Sequence, residues 1–195
     1  MKKGFTLIEL LIVVAIIAIL AAIAVPNFLE AQIRSKVSRA RADMRSLATA
    51  VESYAVDNNH YPPATVVTDG TFAHHVMNIW VLTTPVAHIT SSAIFKDPLK
   101  KGTTYTDKRS FLYEYMTRQY FLDTNNPGGA DWFTRQYGNW RMVCAGPDGW
   151  VFNSSIGGPD GAAAFWTVTY EPTNGTVSVG DIMRTSNDPD LKKAT

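Results

Sequence analysis

Cysteine is nearly absent from this 195-residue sequence. Cys144 stands alone, so no intrachain disulfide can form and no Cys/His spacing suits a structural zinc. An excess of charge of either sign is lacking too: with Lys+Arg 18 against Asp+Glu 17, the net charge of +1 gives the whole surface no attraction for nucleic acid or anionic lipid. Nucleophile elbow, Walker loop and dinucleotide fingerprint are missing, which leaves catalysis without support. Disordered and collagen-like compositions are excluded as well, because 46% of the residues are hydrophobic and 18% charged, enough to build one core.

What the sequence does have is concentrated at its start. From Leu10 to Leu29 twenty residues pass without a charge, and a helix of that length roughly matches the ~30 Å hydrocarbon core of a bilayer. Its β-branched residues, among them Ile12, Val13, Val14, Ile16, Ile17, Ile19 and Ile23, weaken helix formation in water. In lipid an open strand leaves its backbone groups unsatisfied, so a spanning segment must be helical. Ala21-Ala22-Ile23-Ala24 offers the small residues of an ordinary secretory cleavage site. Against that reading, the run is long and the helical pattern continues past it, with Pro26 the only turn signal.

Pro26 removes one backbone donor and crowds the preceding turn, which predicts a kink or a locally melted turn; the competing reading is a helix start at Pro26. Beyond it Leu29, Ile33, Val37, Ala40, Met44, Leu47, Val51 and Tyr54 step by 4, 4, 3, 4, 3, 4 and 3, an amphipathic stripe that must pack on a core of the same chain. Its polar side carries Arg34, Lys36, Arg39, Arg41 and Arg45 against Glu30 and Asp43. These basics outnumber Lys2 and Lys3 and oppose them as a signal of which end faces the cytoplasm. The pattern ends at Asp57-Asn58-Asn59, and Tyr61-Pro62-Pro63 prevents its resumption.

Glu9 is the anomaly, since an ionised carboxylate at bilayer depth costs on the order of 2.5–3.5 kcal/mol. One reading places it near enough to the membrane end to reach water. At Gly4-Phe5-Thr6-Leu7-Ile8-Glu9, behind the basic Met1-Lys2-Lys3, another enters: the chain resembles the type IV pilin-like superfamily, which includes the major subunits of type IV pili and the pseudopilins of type II secretion. The resemblance covers about the first 60 residues. It implies that a membrane peptidase, the prepilin peptidase, cuts between Gly4 and Phe5, removing residues 1–4 as a leader, and that Phe5 is then N-methylated. Glu9 would pair with the new Phe5 amine of a neighbouring subunit, steering assembly into a homopolymer. Val25-Pro26 and Tyr54…Asp57-Asn58…Tyr61-Pro62 resemble the major, G-type pseudopilin of type II secretion most closely.

From residue 64 onward Thr, Val, Gly and aromatics dominate, with turn signals at Asp69-Gly70, Asn126-Pro127-Gly128-Gly129, Asp148-Gly149, Asp160-Gly161 and Asn174-Gly175. Phe111–Met116 is predicted as a strand with Phe111, Tyr113 and Tyr115 on one face, and Trp140–Cys144 as a second. Thr167–Tyr170 and Thr176–Val179 are predicted as a hairpin. A short helix is expected around Ala73–Thr83. The expected fold is therefore α+β: a long helix over residues 5–58, apolar in 5–29 and amphipathic in 30–58, packed on an antiparallel-sheet head over 59–195.

Asp148, Asp160 and Asp181 lie in Gly- and Asn-rich loops, and the resemblance implies a C-terminal calcium site with Asp148 and Asp181 as its ligands. Plain turns are the alternative, because the spacing matches no EF-hand loop. His60, His74, His75 and His88 lack a carboxylate or Cys at metal spacing. The function implied is a structural subunit, foremost the major pseudopilin of a secretion system, with an extracellular type IV pilus subunit as the alternative and a monomeric tethered head as a third reading. Partners implied are the lipid bilayer before assembly, an inner-membrane assembly platform and minor pseudopilins, with no nucleic acid. The implied location is the bacterial inner membrane with the head in the periplasm, then a periplasmic or cell-surface filament.

Overall fold

The first helix starts where its side chains can cap it. Thr6, extended at φ −84° and ψ 150°, is the N-cap of α1 (Leu7–Asn58), and its hydroxyl accepts the Glu9 backbone N–H while the Glu9 carboxylate reaches back to the Thr6 N–H. This reciprocal capping box satisfies donors that the first turn leaves orphaned. In the computed structural model, residues 5–68, 73–77, 79–90, 96–100, 112–149, 169–171, 178 and 180–187 are described. The 52 residues of α1 make a rod about 78 Å long at 1.5 Å per residue. It ends at Asn59, whose left-handed φ of 59° suits an asparagine at a helix C-terminus. The helix is continuous across Pro26. It neither starts there nor melts there, since the flanking turns supply enough hydrogen bonds to carry the chain past one missing donor.

The two halves of α1 differ sharply. Between Leu7 and Leu29 the large apolar side chains are all exposed, whereas Val37, Ala40, Met44, Leu47, Ala48, Ala50, Val51 and Tyr54 are buried. The predicted stripe thus holds from Val37 onward, with Ile33 partly buried at its edge; Leu29 falls outside it because the head does not extend that far up the helix.

Among the described residues, five strands form one antiparallel meander in the order β1 (Ala64–Thr68), β2 (Ala73–Met77), β3 (Glu114–Thr117), β4 (Trp140–Cys144) and β5 (Ile182–Thr185). The expected helix at Ala73–Thr83 is corrected: Ala73–Met77 pairs along its whole length with β1, from Thr68↔Ala73 to Ala64↔Met77, and only Ile79–Leu82 makes a short 3₁₀ turn. Val76 also faces Glu114 of β3. Pairing on both edges outweighs the local helical tendency of the segment. The strand predicted from Phe111 begins at Glu114, after an isolated bridge from Leu112 to Lys96, and β4 matches its predicted bounds. β5 is a strand that sequence patterning missed. Most of the predicted hairpin over residues 167–179 lies outside the described residues; within it, Thr169 makes a parallel bridge to Asp181 and the Tyr170 N–H donates to the Asp181 carbonyl at 2.8 Å.

The pleat sends alternate residues to opposite faces, and both faces are covered. Tyr113, Tyr115, Trp140, Met142, Cys144 and Ile182 join the buried stripe of α1 in the main core. Met116, Val143 and Met183 point the other way, into a second cluster with Phe133, Tyr137, Phe121 and Trp132. Those aromatics belong to a helical hairpin, α2 (Arg118–Asp123) and α3 (Pro127–Tyr137), inserted between β3 and β4. Thr117 caps α2, while Asn126 caps α3 by accepting the Gly129 N–H, with Pro127 at the first helical position. The head is therefore α+β with its sheet held between α1 and the α2–α3 hairpin, rather than a sheet with one solvated face.

Candidate functional site

Glu9 sits in the first turn of α1, exposed, with its neighbours set by helical geometry. Its Oε2 accepts the Thr6 N–H at 2.9 Å and the Thr6 hydroxyl at 2.7 Å, and its own N–H donates to that hydroxyl at 3.3 Å. Phe5 immediately precedes the cap and is 73% exposed. Gly4 lies outside the described residues. The structure thus brings Phe5, Thr6 and Glu9 to one end of the exposed apolar rod. Thr6 was missed as a partner of Glu9, although the Thr-x-x-Glu spacing carries the capping-box signal.

Below the apolar half, charge is distributed along the helix in local pairs. Glu30 accepts from Arg34, Arg39 lies 3.6 Å from Asp43, and the Arg41 guanidinium stands 5.7 Å from the centre of the Tyr170 ring. The basic stripe is thereby partly matched within the chain; exposed pairs of this kind contribute about 0.3–0.5 kcal/mol each.

Polar pins on the helix fix the angle at which the rod leaves the head. Glu52 accepts the Trp140 indole N–H at 2.7 Å and the Tyr61 hydroxyl at 3.2 Å, and the Tyr113 hydroxyl donates to Asp43 at 3.4 Å. His88 approaches the Ser53 hydroxyl at 3.3 Å and the Asp57 carboxylate at 3.9 Å. The rings of His60 and His88 both meet Tyr54 edge-on, at 5.6 and 5.5 Å between ring centres.

The two aspartates expected near calcium lie in adjoining segments. A Cβ on Gly146 would stand 2.2 Å from the Gly180 carbonyl oxygen and 3.3 Å from Asp148 Oδ1, so the 146–149 turn and the entry to β5 are in contact. Asp181 is fully buried, whereas Asp148 is partly exposed. Asp160 lies outside the described residues. Among the described residues no group of three or more His, Cys, Asp or Glu could hold a metal ion. A calcium ion takes six to eight oxygen ligands, so Asp148 and Asp181 would need further oxygens around them to hold one.

A buried carboxylate that patterning did not single out is Asp97. It accepts the backbone N–H groups of Leu99 at 2.8 Å, Lys100 at 3.2 Å and Ala145 at 2.7 Å, and the Cys144 thiol at 3.1 Å. Burial is the largest influence on it and raises its pKa, offset in part by those donors; burial also pushes the Cys144 thiol well up. No nucleophile with an activating base follows from this arrangement, and Asp97 acts as a staple between the 96–100 loop and the end of β4.

The prokaryotic N-terminal methylation motif matches residues 1–25. Over 60 residues the chain is 56% identical to the type IV major pilin protein PilA of Myxococcus xanthus, a match covering 31% of this chain and 27% of that pilin. It is 52% identical over 59 residues, 30% of this chain, to the type IV wide pilus major component PilA4 of Thermus thermophilus, 45% of which is covered. It is also 43% identical over 61 residues, 31% of this chain, to the type II secretion system core protein G of Pseudomonas aeruginosa, again covering 43% of that protein. In each case the match spans less than half the length of the relative. No solved structure matches the chain. Cap, carboxylate, apolar rod and amphipathic half all fall within the region in which the chain is similar to type IV pilins and to core protein G.

Proposed function

We propose that the protein is a structural subunit of a type IV pilin-like filament, anchored in a membrane by the apolar half of α1 before assembly and packed through that half afterwards. The observation that carries this reading is the apolar window near the N-terminus of α1, long enough to cross a bilayer and 0% buried. No soluble fold leaves so large an apolar surface uncovered without a lipid or protein partner. Cleavage after Gly4 by a prepilin peptidase frees the Phe5 amine, which is methylated. In the bilayer Glu9 is held by Thr6 through one oxygen, Oε2. Its second oxygen remains to accept the amine of a neighbour, so that a charge costly in lipid is neutralised on assembly.

Within this function, service as the major pseudopilin of a type II secretion system is the reading we favour, with an assembly platform and minor pseudopilins as partners and the head outside the cytoplasm. The similarity to core protein G and the helix exit Tyr54…Asp57-Asn58…Tyr61-Pro62 support it. The higher identities to two pilus subunits favour the second reading, an extracellular pilus. Deletion of the gene in the native host decides between them: loss of secreted enzymes with surface fibres intact supports secretion, whereas loss of shear-recoverable fibres with the secretome unchanged supports a pilus.

A further inference from the structure

Where α3 turns into β4, at one end of the sheet, a cleft of about 400 Å³ opens between Arg118, Asp131, Thr134, Arg135 and Asn139. It is open to solvent and lined by polar and charged side chains, so a ligand would lie across it rather than be enclosed. Its walls are pinned. The Arg118 N–H donates to the Asn139 carbonyl at 2.9 Å, the Gly138 N–H to the Thr134 carbonyl at 2.9 Å, and the Asn139 N–H to the Ser186 hydroxyl at 2.7 Å. Gly138, at φ +82°, makes the tight turn, and a Cβ there would stand 2.1 Å from the Ser186 oxygen. The cleft is thus built on backbone that is already fixed. Among the described residues, neither the Arg118 nor the Arg135 guanidinium has a carboxylate partner within 4 Å, although Asp131 lines the same cleft one helical turn before Arg135. The Thr134 hydroxyl donates to the Ala130 carbonyl at 2.8 Å and keeps its lone pairs for an acceptor role.

We propose that this cleft binds an acidic sugar: a ring bearing one carboxylate and several hydroxyls. Two guanidinium forks match the planar carboxylate. Asp131 and Thr134 supply acceptors for ligand hydroxyls, and the Asn139 amide can both donate and accept. Two arginines and one aspartate leave the lining with a net charge of +1, which complements a monoanion; a phosphate dianion would meet the Asp131 carboxylate without a donor to offer it. Free uronate and the uronate units of a polysaccharide present the same chemistry. Neither the sheet core nor the apolar rod is involved, so the site is independent of how the filament is used.

The test is titration of the full chain in detergent micelles, followed by NMR, with sodium glucuronate, glucose, inorganic phosphate and an oligogalacturonate. Saturable glucuronate binding in the millimolar range is expected, with none for glucose. Arg118→Gln and Arg135→Gln should each weaken it roughly tenfold, with thermal unfolding unchanged; should Arg118→Gln fail to fold, Arg135→Gln, at an exposed position, carries the test. Asp131→Asn should weaken glucuronate and strengthen phosphate. Oligogalacturonate binding more tightly than glucuronate identifies a polymer as the source, and equal binding identifies the free sugar. Absence of saturable glucuronate binding, equal binding of glucose, or wild-type affinity in Arg135→Gln would overturn the proposal.

Discussion

Cys144 shows how burial governs a residue's chemistry. It faces α1 from the end of β4, fully buried, with its thiol directed at the Asp97 carboxylate. Desolvation and that neighbouring acid both disfavour the thiolate. Cys144 should be unreactive toward a disulfide reagent at pH 8 in the folded chain and react stoichiometrically once the chain is unfolded in guanidinium. Asp97 itself holds three backbone donors from two segments. Asp97→Ala should cost about 2–4 kcal/mol in chemical unfolding, because those buried N–H groups lose their acceptor. The pH dependence has a definite sign. The pKa of Asp97 is raised on folding, so the folded state binds the proton more readily and stability falls as pH rises from the unfolded value, about 3.9, through the folded one. That slope should be absent in Asp97→Asn. The Thr6–Glu9 pairing was missed although its signal is local, both partners lying within one turn. The role of Asp97 has no local signal, since Ala145 is 48 positions away and only the fold brings them together.

At the scale of elements, α1 was readable through its period and its stop signal, while the α2–α3 hairpin was not. Patterning marked Asn126-Pro127-Gly128-Gly129 as a turn, and all four instead open α3: Asn126 caps it, Pro127 suits its first position, and Gly128 and Gly129 are helical. Glycine is poor in a helix interior, yet here a larger residue would collide, for a Cβ on Gly129 would stand 2.7 Å from the Phe121 ring. Contact with α2, which only the tertiary structure supplies, decides the state of this segment. Phe133 anchors the hairpin, fully buried between the Phe121 and Tyr137 rings, each 5.3 Å from its own ring centre. Phe133→Ala should destabilise the head by about 3–5 kcal/mol in urea. Amide exchange should accelerate first in α2 and α3, with α1 from Val37 to Tyr54 retaining protection, since the two clusters lie on opposite faces of the sheet.

For the whole molecule, the division of α1 separates two kinds of stability. The head is held by burial of residues from Val37 onward, and the exposed half has no part in that core. Ile16→Asp, at an exposed position, should cost about 2.5–3.5 kcal/mol of membrane insertion. The chain should then become extractable from membranes by alkaline carbonate while head unfolding in detergent stays unchanged. Glu9→Ala should leave cleavage at Gly4 intact by mass spectrometry yet abolish filaments recovered by shearing, because the amine of an incoming subunit would find no carboxylate.

The rod, its processing signal, its acid and the point where the head begins were all written locally, in a hydrophobic run, a short motif and a helical period, each spanning a few turns at most. Whether Ala73–Met77 would be helix or strand, that Ile182–Thr185 would complete the sheet, and that a helical hairpin would cover the sheet's far face were settled by tertiary structure. Strand pairing and two-sided burial draw their energy from residues distant in the chain, and no local pattern records such a partner.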